Sequence, residues 1–442
     1  MKKHTFLFKT LAAVVLLATS AACSLTEKPD ATGLIGEDAK LACLVNIDRV
    51  MADQHIESLD AFENITGKWS DETRVCVSAV NDLDCRELLL WQYDSDTLNM
   101  VWIPENPAKA EDVVKKRGKI KKFDDLSIAE VGGCYLGLTP DGLIWTLSAS
   151  SADEAAGYVR NALARAKTPL ESWKRDLLKG DKDVEFFYTD SALTCASGVQ
   201  FDSVKVNLTV GLYDKEGKAY NIVKGTEYRT IGQCGLKTSR EADLCGLMGQ
   251  LNMARMFDNV RELLPEEVLE YWDSQNDEDL KMLDGQSGPN MLFGKVGASF
   301  FDFTTWKFLL NYAFPTNDDA RRVFDMSIKN VEQLGIPVQR NGDKVAVNIE
   351  GMANCVGSLD GDLLTININD AEFDLDEPLP ALAEDALAWC HLRINRNLMM
   401  LLGGKPNLDE LVVDVYLKPE NLELEIVLRE SRQTILQALL SR

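Results

Sequence analysis

Histidines, cysteines and carboxylates decide which chemistry this chain can do. Of its 3 histidines, His4 lies in the leader described below, which leaves His55 and His391. That leaves little room for a serine or cysteine triad, and the sequence holds no G-x-S-x-G elbow and no H-E-x-x-H. His391 follows Cys390, which invites a metal reading. Adjacent side chains on a strand point to opposite faces and do not share one ion, so a structural role is expected. Gly211 to Lys218 superficially resembles a phosphate loop, but its spacing is one residue too long and it falls in an expected hairpin. Asp370, Glu372, Asp374 and Asp376 alternate, and on extended backbone they would share a face of hard oxygen ligands suited to calcium. No EF-hand spacing or turn glycine accompanies them, so a solvated acidic segment is the expected reading. Asp273 to Asp284 is a weaker case of the same kind. A glycosidase needs only two carboxylates at a fixed separation, and 70 acidic residues nominate no pair. Of the 8 tryptophans, Trp69 and Trp173 have polar neighbours and are the candidates for stacking on sugars. Trp91, Trp102, Trp145, Trp306 and Trp389 lie in apolar runs and are expected in the core. No cofactor and no metal is expected.

The chain has 10 cysteines. Beyond Cys23 they are Cys43, Cys76, Cys85, Cys134, Cys195, Cys234, Cys245, Cys355 and Cys390, an odd number, so at least one thiol stays free or pairs between chains. There is no CxxC, the usual mark of a redox or zinc-ribbon site. The closest pairs, Cys76 with Cys85 and Cys234 with Cys245, are the possible disulfides, each closing a short loop. Cys43 and Cys390 read as small core residues.

The elements that must position these residues follow from periodicity. Strands are expected over 40–47, 73–80, 88–93 and 98–103. Pairing through Asp94-Ser95-Asp96-Thr97 sets Trp91 opposite Met100 and Leu89 opposite Trp102. A helix is expected over 48–56 with an Asp cap, and a short one over 108–116. Further strands run to Ser148, with turns at Gly132-Gly133 and Pro140-Asp141-Gly142. Ser151 caps a helix that reaches about Ala166. Asp183 to Thr189 is a strand. Val204 to Leu212 alternates strictly and is expected to pair with 219–224 through Asp214-Lys215-Glu216-Gly217. Residues 239–274 read as helical. Strands follow at 297–303 and 307–314, then a helix over 317–334. The alternating segments Val345–Ile349 and Leu364–Ile368 suggest a hairpin with a long connection. A strand over 387–394, a hairpin over 411–428 turning at Lys418-Pro419-Glu420-Asn421, and a terminal helix over 431–440 complete the chain.

Trp145 to Ser150 leads into a helix opening at Ala152, and Leu310 to Pro315 leads into one opening at Asn317. Each is later followed by a long hairpin, so a topological repeat is expected. The fold class is α+β, with two similar modules of meandering antiparallel sheet and helices packed on one face. The expected boundaries are a signal peptide over 1–22, a lipid-anchored tether over 23–36, module 1 over 37–235, a helical bridge and linker over 236–286, and module 2 over 287–442.

The N-terminus is an address. Lys2, Lys3 and Lys9 precede a short apolar run over 11–18, closed by Ser20-Ala21-Ala22-Cys23. The run is too short to span a bilayer and reads as a secretory signal peptide with a bacterial lipobox, Cys23 becoming the lipid-bearing residue. Ser20 stands where that motif usually has leucine. No other segment is long and apolar enough to span. The net charge of −23 repels phosphate backbones, so nucleic acid is not an expected partner. The membrane is reached through the lipid.

After its lipobox, the mature chain opens with Ile35-Gly-Glu-Asp-Ala-Lys-Leu-Ala-Cys-Leu-Val-Asn-Ile-Asp48, then a helix, meandering strands, a strand Asp183-Val-Glu-Phe-Phe-Tyr-Thr-Asp190 and a hairpin. This order resembles the large Bacteroidota lipoproteins built on a domain of unknown function. Their mature chains tend to open with a "pro-x-asp-ala" phrase; here Gly36 replaces the proline. The resemblance implies an outer-membrane lipoprotein, periplasmic or surface-facing, and transfers no residue except the lipid-bearing Cys23. The expected function is a lipid-anchored cell-envelope protein with a non-enzymatic binding or scaffolding role toward a protein or glycan partner. The alternative is a surface carbohydrate-binding or carboxylate-dependent glycan-hydrolysing protein.

Overall fold

A computed structural model of the chain describes residues 31–56, 85–93, 98–190, 193–239, 242–261, 296–314, 316–349, 353–395, 398, 410–429 and 434–440. The expected strand 73–80, Cys23, Trp69, Cys76 and the acidic run Asp273–Asp284 lie outside these residues. The chain divides into two compact units, 1–218 with 431–442, and 219–430.

Unit 1 contains β1 (Leu41–Asn46), α1 (Ile47–Gln54), β2 (Cys85–Gln92), β3 (Leu98–Pro104), α2 (Pro107–Arg117), β4 (Ile120–Phe123), β5 (Leu126–Val131), β6 (Cys134–Leu138), β7 (Ile144–Leu147), α3 (Ala152–Arg165), α4 (Ser172–Asp176), β8 (Val184–Thr189), β9 (Thr194–Asp202) and β10 (Lys205–Tyr213). All pairings are antiparallel, in the spatial order β4–β5–β6–β7–β3–β2–β1–β8–β9–β10. The core joins Trp91 and Trp145, whose rings meet edge to face at 5.3 Å, to Phe187 and the alanine-rich face of α3. Ser151 caps α3 as its sequence requires, its hydroxyl accepting the Glu154 N–H at 3.2 Å, while Glu154 reaches back to the Ser150 N–H at 2.7 Å. The segment Gly36–Ala39 is bound to the end of α3: Asp38 pairs with Arg165 at 3.1 Å, and a Cβ on Gly36 would sit 2.8 Å from the Arg165 carbonyl oxygen.

Unit 2 contains β11 (Leu244–Met248), α5 (Met253–Arg261), β12 (Val296–Asp302), β13 (Lys307–Ala313), α6 (Asn317–Gln333), β14 (Val338–Asn341), β15 (Lys344–Ile349), β16 (Ala353–Asp360), β17 (Leu363–Ile368), α7 (Ala381–Glu384), β18 (Ala388–Asn395), β19 (Glu410–Leu417) and β20 (Asn421–Arg429). Its antiparallel order is β14–β15–β16–β17–β13–β12–β11–β18–β19–β20. Each strand of unit 1 has its counterpart ten strands later, in the same spatial place. The fold is therefore α+β, built from two similar modules of meandering antiparallel sheet with helices packed on them.

Several expectations are corrected at element level. In the repeat, α6 corresponds to α2, since both follow the third strand of their module; the sequence matched it to α3, which follows the seventh. β10 pairs with β9, not with 219–224. The small and polar residues of Thr194–Asp202 had hidden that strand. Val345–Ile349 and Leu364–Ile368 do not pair with each other: β16 runs between them. Residues 244–248 are a strand inside the stretch read as helix. The cap of α1 is Asn46, whose Oδ1 accepts the Arg49 N–H at 3.2 Å, and not an aspartate. The β2–β3 register places Trp91 opposite Asn99 and Leu88 opposite Trp102, one residue from expectation. That slip puts Trp102 on the face away from Trp91, where its Nε1 donates to Thr146 Oγ1 at 2.9 Å.

Candidate functional site

One row of unit 2 has the residue types of a catalytic constellation. Cys245 on β11 lies directly opposite His391 on β18, and His391 opposite Asp414 on β19. Opposed residues of an antiparallel ladder share a face, so thiol, imidazole and carboxylate stand side by side. Asp414 Oδ1 contacts His391 Nδ1 at 2.8 Å and accepts the Trp389 indole N–H at 2.9 Å. Tyr416 stacks on Trp389 with rings 6.5 Å apart, and burial, reinforced by the Asp414 charge, pushes its phenol well above the usual tyrosine range.

The row lacks the property a nucleophile needs. Cys245 is fully buried, and its sulfur lies 3.4 Å from the Thr238 hydroxyl. Burial pushes its thiol up to about 11, so at neutral pH it is a thiol and not the reactive thiolate. Cys390 is exposed on the other face, as strand alternation requires, which corrects its assignment to the core. Cys43 is buried, with its thiol pushed up to about 12 by burial. Cys234 stands on a short turn over Gly232–Cys234, and both it and Cys245 are thiols in the structure, not a bridge.

The alternating acids explain how this core is closed. Ala371, Phe373 and Leu375 point inward along an extended strap, and Phe373 meets Phe300 with rings 5.8 Å apart. Asp370, Glu372, Asp374 and Asp376 are its exposed side, and Asp376 pairs with Lys237 at 2.7 Å. Among the described residues no group of His, Cys, Asp and Glu is arranged to hold a metal ion.

A different feature emerges at the turn from β12 to β13. Trp306, expected in the core, is 64% exposed. Its φ of +53° lies in the left-handed region that bulky side chains avoid, at a cost of about 1–3 kcal/mol. Surrounding hydrogen bonds hold it there. Asn369 Nδ2 donates to the Trp306 carbonyl at 2.9 Å, and Asn369 Oδ1 accepts the Asn354 N–H at 2.9 Å. Asp302 Oδ1 accepts the N–H groups of Thr304 at 2.7 Å and Thr305 at 3.1 Å. Beneath them, buried Asp243 accepts the Phe303 N–H at 3.0 Å on Oδ2 and Arg393 Nη2 at 2.9 Å on Oδ1. Phe301 lies at the centre of the aromatic cluster, 4.7 Å from Phe303, 6.0 Å from Trp306 and 6.1 Å from Phe308 between ring centroids.

Trp173, one of the sugar-stacking candidates, is half-buried beneath the turn that follows β10. A Cβ on Gly217 would lie 2.5 Å from its ring, and Tyr213 packs beside it at 6.3 Å. It fills space between elements and offers no open face comparable to that of Trp306. The signal that would have found Trp306 was present: Thr304, Thr305 and Lys307 around it are turn and surface residues, and the strands expected on either side stop short of it.

No family model matches the chain, and no curated protein matches it. Among solved structures, crystal form I of TP0453 matches with a TM-score of 0.30 and 10% identity over 43% of this chain and 81% of its own. Crystal form III of TP0453 matches with a TM-score of 0.31 and 10% identity over 44% and 82%. A likeness this distant says nothing of function.

Proposed function

We propose that this is an exported, lipid-anchored cell-envelope protein that acts by binding or scaffolding and not by catalysis. The lipobox ending at Cys23 supports the anchor, and the resemblance to Bacteroidota lipoproteins supports an outer-membrane location. The observation that carries the non-enzymatic part is the state of the Cys245–His391–Asp414 row. It has the residue types of a nucleophile, a base and an orienting acid, yet its thiol is buried, protonated and covered. The row therefore acts as a polar core that ties three strands together, and the module presents its surface for recognition.

The anchor and the mode of action are tested separately. Replacing Cys23 by Ala is expected to move the protein from the membrane pellet to the soluble fraction; continued pelleting of that variant would overturn the anchor. The purified protein is expected to show no turnover in a broad hydrolase screen. Any reproducible turnover by the pure protein would overturn the non-enzymatic reading, and its loss on Cys245→Ala would assign it to this row.

A further inference from the structure

We propose that the β12–β13 tip of unit 2 is a carbohydrate-binding platform, with Trp306 as its stacking surface and neutral polysaccharide as its ligand class. An indole 64% exposed on a bent backbone is costly to hold in water, and here it is held from several directions. Asn369 fixes the Trp306 carbonyl, Asp302 fixes the two amides before it, and Phe301 supports the ring from behind at an interplanar angle of 84°. The ring is thus fixed in place before any ligand arrives, which lowers the ordering cost of binding.

The surroundings select the ligand. Half-exposed Phe303 and Lys307 flank the ring, and the exposed residues beside it in sequence are Thr304 and Thr305, with exposed Asp370 adjoining Asn369, so the rim is mixed and carries polar groups within reach of an edge. These are short hydroxyl and carboxylate groups that exchange hydrogen bonds with alcohols. A pyranose presents both complements: a C–H face that packs on an aromatic ring and hydroxyls at its edge. The net charge of −23 and the exposed acids beyond Asp370 disfavour phosphorylated or acidic polymers and anionic lipid surfaces. A neutral glycan pays no such electrostatic penalty.

Affinity electrophoresis of the full lipidated protein in detergent tests this, with laminarin, mannan, dextran and xylan cast separately into native gels. At least one gel is expected to retard the wild-type protein. Trp306→Ala should weaken that retardation about tenfold, the scale of one lost stacking contact. Trp306→Tyr should restore most of it, and Trp173→Ala should leave it unchanged. Circular dichroism of Trp306→Ala should match wild type, since the side chain projects outward. Absence of retardation in every gel would overturn the proposal, as would equal retardation of Trp306→Ala. Indole fluorescence of the unlipidated Cys23→Ala protein that responds to zwitterionic phosphatidylcholine vesicles and loses that response in Trp306→Ala, with no response to any polysaccharide, would overturn it in favour of a membrane contact. Release of reducing ends from a bound glycan would instead refute the non-enzymatic reading while leaving the platform in place.

Discussion

Asp243 carries more of the second module's geometry than any residue the sequence singled out. Its buried carboxylate joins the start of β11, the end of β18 through Arg393, and the turn bearing Trp306 through the Phe303 amide. The guanidinium it meets is partly exposed, so removing the carboxylate leaves a charge that water reaches on one side. Asp243→Ala is accordingly expected to destabilise by about 2–3 kcal/mol, below the full cost of breaking a wholly buried pair. Urea unfolding measures this, and faster hydrogen exchange of the Phe303 amide in the folded variant would report the loosened turn. An unchanged unfolding midpoint would show that the turn is held without it. Thiol chemistry offers a second check at this scale. Cys390 should react with a thiol reagent in the native protein, while Cys245 should react only on unfolding. Neither Asp243 nor Trp306 was legible in sequence as a key residue. Asp243 owes its role to Arg393, 150 positions away, and acids in so acidic a chain look alike. Trp306 was judged by its apolar neighbourhood, although the residues nearest it were those of a turn.

At the level of elements, local chemistry was a good guide where capping and turn residues set the outcome, and a poor one where pairing partners did. Ser151, the Gly132-Gly133 turn and the 411–428 hairpin were readable because each is decided within a few residues. The β2–β3 register was not, because alternation alone admits a slip of one, and burial on both faces removes the polar side that would have fixed it. β9 escaped notice because Thr194–Asp202 is mostly small or polar and offers no apolar alternation to read. Gly142 shows how tightly one such element is fitted. Its φ is +83°, and a Cβ there would lie 2.3 Å from the Pro107 Cβ and 2.7 Å from its Cα, at the start of α2. The clash falls on backbone as well as side chain, so relief requires α2 to move off the sheet. Gly142→Ala is expected to cost about 2–4 kcal/mol, from left-handed backbone strain together with overpacking. Thermal unfolding measures it; a loss below about 0.5 kcal/mol, the scale of an ordinary surface change, would mean that the turn and α2 shift together.

The molecule as a whole is a duplication whose chain end returns to its first half. Helix α8 (Ile435–Leu440) belongs to unit 1, not to unit 2, from which the chain arrives. Its seat is Gln54, a buried amide satisfied at both ends: Nε2 donates to the Asp202 carbonyl at 2.7 Å, and Oε1 accepts the Leu436 N–H at 3.0 Å. The Ile435 N–H donates to the Ser203 carbonyl at 2.8 Å beside it. Close by lies a set of carboxyls whose ionisation burial opposes: Asp53, Asp183 and Glu185 are all pushed up by desolvation, Asp202 adding to Asp53 and Asp53 to Asp183. For each, the folded state binds its proton more tightly than the unfolded chain. Unfolding therefore releases protons in the window from the ordinary carboxylate range up to the raised values, and stability falls as pH rises through that window. Lowering the pH through the raised carboxylate range toward the ordinary values near about 4 should strengthen unit 1. The exposed pairs that pull other carboxyls down, such as Glu111 with Lys115, lose their contribution only at lower pH and are screened by salt. Hydrogen exchange separates these effects. Amides of β8 and β9 should gain protection on mild acidification, and a loss of protection would reverse the sign argued here. Gln54→Ala, which strands the Leu436 N–H and the Asp202 carbonyl, should cost about 2–3 kcal/mol locally and speed exchange over 434–440 and α1 while leaving β18 and β19 unchanged. If exchange rose equally in both modules, the return of the chain would be holding the whole molecule together and not unit 1 alone.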